Sequence, residues 1–134
     1  DLSMWDIIYH TNDAGYVNIK NDDPKSGNCA GHFWSESAMS FEISQTVTGL
    51  EPGKYALKAN IQGGDASQAD MKLMAITKDN EQVSTFKVDG WLNWQTPTIS
   101  TINVTDGTVT ITMKVDAPAK AWGTFDDFEL IKLD

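Results

Sequence analysis

The stretch "DGWLNWQTP", residues 89–97, sets Trp91 and Trp94 three positions apart between turn-forming residues. An indole is costly to expose and awkward to bury, because its N–H needs a partner. The chain carries five tryptophans: Trp5, Trp34, Trp91, Trp94 and Trp122. Aromatic faces suit sugars. The axial C–H groups of a pyranose make an apolar patch that stacks on a ring, and the hydroxyls around it need amide and carboxylate partners. Asn60, Gln62, Asn93 and the backbone of Gly63-Gly64 are the nearby candidates. Packing is the commoner fate of a tryptophan, so the five are expected to divide. Trp91, behind Asp89-Gly90 in a loop, is expected to hold ligand, and Trp94, at a strand entrance, to be core. Trp34, in "GHFWSESA", is a second ligand candidate. Trp122, at the head of the last strand, suits a platform or a packing plug, and Trp5, beside Ile7, is expected to be structural.

Catalytic chemistry finds little support. His10 and His32 form no H-E-x-x-H pair, and no G-x-S-x-G elbow occurs. Glycoside hydrolysis needs two carboxyls about 5–9.5 Å apart across a cleft. Asp126 and Asp127 are strand neighbours, expected to point to opposite faces. Asp126 shares period-two parity with Phe128 and Leu130, which predicts a core-side carboxylate near a strand end. Burying such a group requires compensation, and a cation supplies it. Ca2+, with six to eight oxygen ligands, suits an acidic β-protein, so Asp126 is expected to bind a structural Ca2+. Further oxygens could come from Asn21, Asp22 or Asp23 in "NIKNDDPKSGN", which is not an EF-hand loop. The "NVT" at Asn103 matches a glycosylation sequon, a weak signal at a turn.

Ten lysines and no arginine stand against nineteen carboxylates, for a net charge of −9. Nucleic-acid readers present basic patches, usually with arginine forks, so nucleic acid and anionic membranes are unfavourable partners. A neutral ligand or a divalent cation fits the charge. No apolar run approaches the roughly 18 residues of a membrane span. Cys29 is the only cysteine, so no internal disulfide forms. The abrupt start at "DLSMWDI" reads as a module of a larger protein, and the length of 134 residues suits a single domain over residues 1–134.

Alternation with period two dominates. "SFEISQTV" sets Phe41, Ile43 and Val47 against Glu42, Ser44 and Thr46. "YALKANIQ" sets Tyr55, Leu57, Ala59 and Ile61 inward. "TVTITMKV" does so with Val109, Ile111, Met113 and Val115. Phe128 and Leu130 are expected to join this core. Pro52-Gly53 predicts a type II turn, and Asp106-Gly107 between alternating runs predicts a hairpin. No segment has helical period. About eight short antiparallel strands predict an all-β sandwich or jelly roll of two sheets.

Two longer stretches, "FWSESAMSFEISQTVTGLEPGKYALKANIQGG" and "GWLNWQTPTISTINVTDGTVTITMKVDAPAKAWGTFDDFELIKL", resemble the family 61 carbohydrate-binding modules. These are galactose-binding-like β-jelly rolls appended to family 53 endo-β-1,4-galactanases. The resemblance spans roughly residues 33–133 and is most specific in the "GW..W" pair combined with the Gly-Gly loop. "G.Y.L" and "DDFEL" recur more widely among such jelly rolls. The resemblance implies non-catalytic binding of β-1,4-galactan by a monomeric extracellular or cell-surface module, covalently linked to the catalytic domain it targets. Carried over by position, Trp34, Gln62, Gly63, Gly64, Trp91 and Asn93 would line the sugar site, with Trp122 a further candidate. Asp126 would match the calcium position of related jelly rolls. The loop "GGDASQAD" is richer in acid than the family pattern. The competing reading is a structural or adhesive β-sandwich with another glycan ligand or none.

Overall fold

A computed structural model describes residues 5–12, 14–20, 30–66 and 68–133, without the side chains of Ile19, Lys20, Ala30 and Trp91. Cys29 and the loop residues Asn21, Asp22 and Asp23 lie outside the described residues. Eleven strands form: β1 (Asp6–Tyr9), β2 (Val17–Lys20), β3 (Ala30–Trp34), β4 (Met39–Val47), β5 (Gly53–Gly64), β6 (Asp70–Ile76), β7 (Glu81–Phe86), β8 (Gly90–Gln95), β9 (Thr98–Val104), β10 (Val109–Ala117) and β11 (Trp122–Leu133). No helix occurs among the described residues, so none is long and apolar enough to cross a membrane.

The strands make two antiparallel sheets. One runs β1-β4-β10-β6-β7. The other runs β2-β3-β11-β5-β8, with β9 pairing β5 along the same edge as β8. The expected alternation is what fills the space between them. Phe41, Ile43, Tyr55, Leu57, Ile61, Val109 and Ile111 are buried there, with Phe128 and Leu130 half-buried against them. Trp5 serves the packing role expected of it, its ring 4.9 Å from that of Phe128. One open side of the sandwich is closed by Tyr16, whose hydroxyl donates to the Ser40 carbonyl at 3.1 Å. On the other, Gln82 of β7 donates to the Thr101 carbonyl of β9 at 2.7 Å.

Two local expectations change in this topology. Gly107 has the positive φ of a turn residue, 77°. Yet Asp106-Gly107 does not close a hairpin: it carries the chain from β9 in one sheet to β10 in the other, where β10 pairs β4 and β6. Second, β11 carries a bulge. Asp126 pairs Asn60 and Glu129 pairs Lys58, so Asp127 and Phe128 oppose the single residue Ala59. Asp127 sits at φ 53°. The extra residue shifts the parity, so Phe125 and Phe128 both pack inward while Asp126 falls on the outer face with its partner Asn60. The core-side placement expected for Asp126 is therefore overturned. So is the opposed pair of carboxylates: Asn60 Nδ2 donates to Asp127 Oδ2 at 3.2 Å, on the same side as Asp126.

Candidate glycan-binding face

The outer face of the β2-β3-β11-β5-β8 sheet brings together Trp34, Gln62, Gly64 and Trp122 of the sequence's candidates, through strand parity rather than loops. Phe33 is buried inward on β3, which turns Trp34 and His32 outward. Phe125 does the same on β11 for Trp122, Thr124 and Asp126. The register then lays two rows across the sheet. Trp34 opposes Trp122, which opposes Gly64. Beside them run Asn18, His32, Thr124 and Gln62. Directly opposed residues have Cβ atoms about 4.5–5.5 Å apart, so the two indoles are immediate neighbours.

Trp34 keeps 43% of its surface exposed. Trp122 is half-buried and belongs to neither core cluster. Gly64 explains how its ring lies. A Cβ there would come within 2.9 Å of Trp122 Nε1 and 3.2 Å of Cε2 and Cζ2, so the indole rests on bare backbone. A cleft opens on each side of the pair. The one beside Trp34, about 540 Å3, has Asn18, His32, Ser35 and Glu36 on its walls. The one beside Trp122, about 490 Å3, has Gly64, Asp65, Asp89 and Gly90. Both are in the size range of ligand pockets. Two adjacent rings flanked by amide, hydroxyl and carboxylate groups can stack on pyranose faces and bond the hydroxyls around them.

The other expected site residues take different places. Gly63 is buried and faces inward, where a Cβ would stand 2.3 Å from the Trp122 carbonyl oxygen, so it serves close strand packing and offers no exposed backbone. Gln62 is 0% exposed although it points outward, and its Oε1 accepts the Leu92 N–H. Asn93 is exposed on β8, its Nδ2 donating to the Asp89 carbonyl at 2.9 Å. Trp91 lies within β8 and not in a loop, and its side chain is outside the description. Trp94 is half-buried and absent from both core clusters, which corrects the expectation of a core residue. Trp94 stands where β8 breaks its pairing with β5, so strand parity does not direct it into the core. Sequence reasoning missed the row Asn18, His32 and Thr124. The parity around Phe33 and Phe125 was a signal for its members on β3 and β11, but the pairing that joins them was not.

Asp126 is half-buried beside the face, its Oδ1 accepting the Asp127 N–H at 2.9 Å. Among the described residues, no three His, Cys, Asp or Glu side chains group to hold a metal. The described carboxylates therefore do not by themselves build a calcium shell around Asp126.

No protein-family model matches the chain, and no curated protein does. Solved structures do. TmCBM61, solved in complex with beta-1,4-galactotriose, superposes with a TM-score of 0.90 at 28% identity, over 99% of this chain and 91% of that one. A family 16 carbohydrate-binding module matches at 0.64 and 14% identity, over 87% and 86% of the two chains. The CBM22-1-GH10 modules of Clostridium thermocellum xylanase 10B, complexed with xylohexaose, match at 0.63 and 13% identity, over 98% of this chain and 26% of that one. The latter two share the fold alone. With one fold from end to end in common with TmCBM61, and a paired-indole face on its outer sheet, the protein is a non-catalytic, glycan-binding module similar to that family 61 module.

Proposed function

We propose that the Trp34–Trp122 face binds β-1,4-galactan and targets a covalently linked glycoside hydrolase to it. The observation that carries this reading is the juxtaposed pair of outward indoles resting beside Gly64, in a chain so close in structure to a module solved with galactotriose. Galactose has an axial 4-hydroxyl, so a 1,4-linked galactan bends where cellulose runs flat. A bent chain suits a short aromatic pair with a cleft on either side better than a long flat strip. The xylanase 10B match, in which such a fold accompanies a GH10 module, supports the accessory role. A polymer of this size does not cross a cell envelope, so the module works outside the cell or on its surface, as a monomeric single domain. Affinity electrophoresis in galactan, arabinogalactan, xylan and β-glucan tests the reading. Retardation in galactan, lost on Trp34→Ala and on Trp122→Ala, is expected. Retardation in xylan or β-glucan and not in galactan would replace the ligand, and none at all would leave the structural-sandwich alternative.

We further propose a structural Ca2+ at Asp126. What supports it is a carboxylate beside a bulge in a strongly acidic chain, with six to eight oxygens to be found by such an ion. The remaining donors would be carbonyls or residues 21–23. A metal bound only by the folded state raises its stability by mass action. EDTA should therefore lower the melting temperature and added Ca2+ restore it, whereas superimposable melts would remove the ion.

A further inference from the structure

The backbone of β8 pairs with that of β5 at the two ends of β8. Gly90 pairs Gly63 and Gln95 pairs Ile61, so Trp91, Leu92, Asn93 and Trp94 arch over the single residue Gln62. The arch has a left-handed residue near its crown: Leu92, at φ 61°, with 51% of its surface exposed. A residue with a Cβ is disfavoured in that conformation, and an exposed leucine brings no burial to compensate. Beneath it, Gln62 has outward parity and no exposed surface. Burying an amide is costly unless its hydrogen bonds are made, and an aliphatic side chain would fill the space without that cost. One bond that Gln62 makes is to the N–H of Leu92 itself. The arch is also braced along its own length, by Asn93 Nδ2 on the Asp89 carbonyl at 2.9 Å. Its foot, Asp89 and Gly90, forms a wall of the cleft that opens beside Trp122.

We propose that Gln62 is a positioning residue, a buried amide clamp that holds the β8 arch against the aromatic face without touching the glycan. The proposal rests on the reading of that face as the galactan site. It departs from a direct sugar contact by Gln62: the acceptor oxygen is committed to Leu92. The clamp sets the height and direction of the arch, and so the width of the cleft between Gly90 and Trp122.

Two variants separate clamp from contact. Gln62→Met keeps length and apolar volume but removes the acceptor. Gln62→Glu keeps an oxygen that can accept the Leu92 N–H. Amide hydrogen exchange at Leu92 reads the clamp, and titration calorimetry with galactan reads the site. In Gln62→Met, loss of a buried acceptor should speed Leu92 exchange and weaken galactan binding, each by about tenfold or more. Gln62→Glu should restore much of both. Weakened binding with Leu92 still protected would mean that Gln62 meets the sugar directly, and unchanged binding with Leu92 unprotected would mean that the clamp does not serve the site. Either result overturns the proposal. Should Gln62→Met fail to fold, Gln62→Asn, one methylene shorter, withdraws the oxygen while keeping the polarity, with the same expected and overturning results. If the unaltered protein binds no galactan, the ligand assignment fails, while Leu92 exchange still decides the clamp.

Discussion

Gly63 and Gly64 are consecutive residues with opposite duties, and a single methyl group distinguishes them. At Gly64 the added Cβ meets the Trp122 ring at 2.9 Å, and a ring can tilt away. At Gly63 it meets the Trp122 carbonyl oxygen at 2.3 Å, and backbone inside a sheet cannot move without breaking its ladder. Gly64→Ala should leave the melting temperature nearly unchanged and weaken glycan binding, because the platform turns. Gly63→Ala should destabilise by about 1–3 kcal/mol, as overpacking does. Paired melting curves and binding isotherms check both, and equal stability losses would contradict the division. At the same scale, Trp34→Ala removes a ring that the core does not use. It should cost about 1–3 kcal/mol of binding, as other stacking aromatics do when truncated, and almost no stability.

Among the elements, β11 does the most positioning, and its bulge sets the direction of its side chains. The bulge residue Asp127 holds φ 53°. Asparagine and aspartate tolerate that region better than alanine does. Its carboxylate also receives Asn60 Nδ2, while Asn60 Oδ1 accepts the Thr96 hydroxyl at 2.8 Å. Asp127→Asn keeps both the conformation and an acceptor, and should stay within about 0.5 kcal/mol of the parent. Asp127→Ala loses both, and should cost about 1–2 kcal/mol by the sum of a backbone and a hydrogen-bond effect. Thermal melts of the two variants decide it. Equal stability would mean that the bulge is held by β5 pairing alone.

On the scale of the whole molecule, charge selects among glycans. The net charge is −9, and among the described residues the two clefts have Glu36, Asp65 and Asp89 on their walls and no lysine. A neutral galactan feels little of this field. A polygalacturonate or a sulfated galactan is repelled, over a distance set by the Debye length of about 10 Å at 0.1 M salt. Neutral galactan should therefore bind more tightly than its sulfated form at low salt, and raising the salt should narrow the gap without changing the neutral affinity. Calorimetry at two salt concentrations checks this, and a preference for the acidic polymer would contradict it.

The all-β class and the inward residues of β4, β5 and β10 were legible in the sequence. They follow from side-chain period, which is local. The exposure of Trp34 was legible from its position. The place of Trp94 was not: it is half-buried on an arch that crosses Gln62, thirty-two residues earlier. Asp106-Gly107 has the composition of a hairpin turn, but turn chemistry sets a reversal of the chain and not the sheet in which the next strand lands. The parity of Asp126 failed because one extra residue opposite Ala59 flips every later side chain, and only pairing reveals it. The Trp34–Trp122 platform likewise exists only because β3 and β11 lie side by side. Strand neighbours far apart in the chain are chosen by the packing of two whole sheets, and no local pattern encodes that choice.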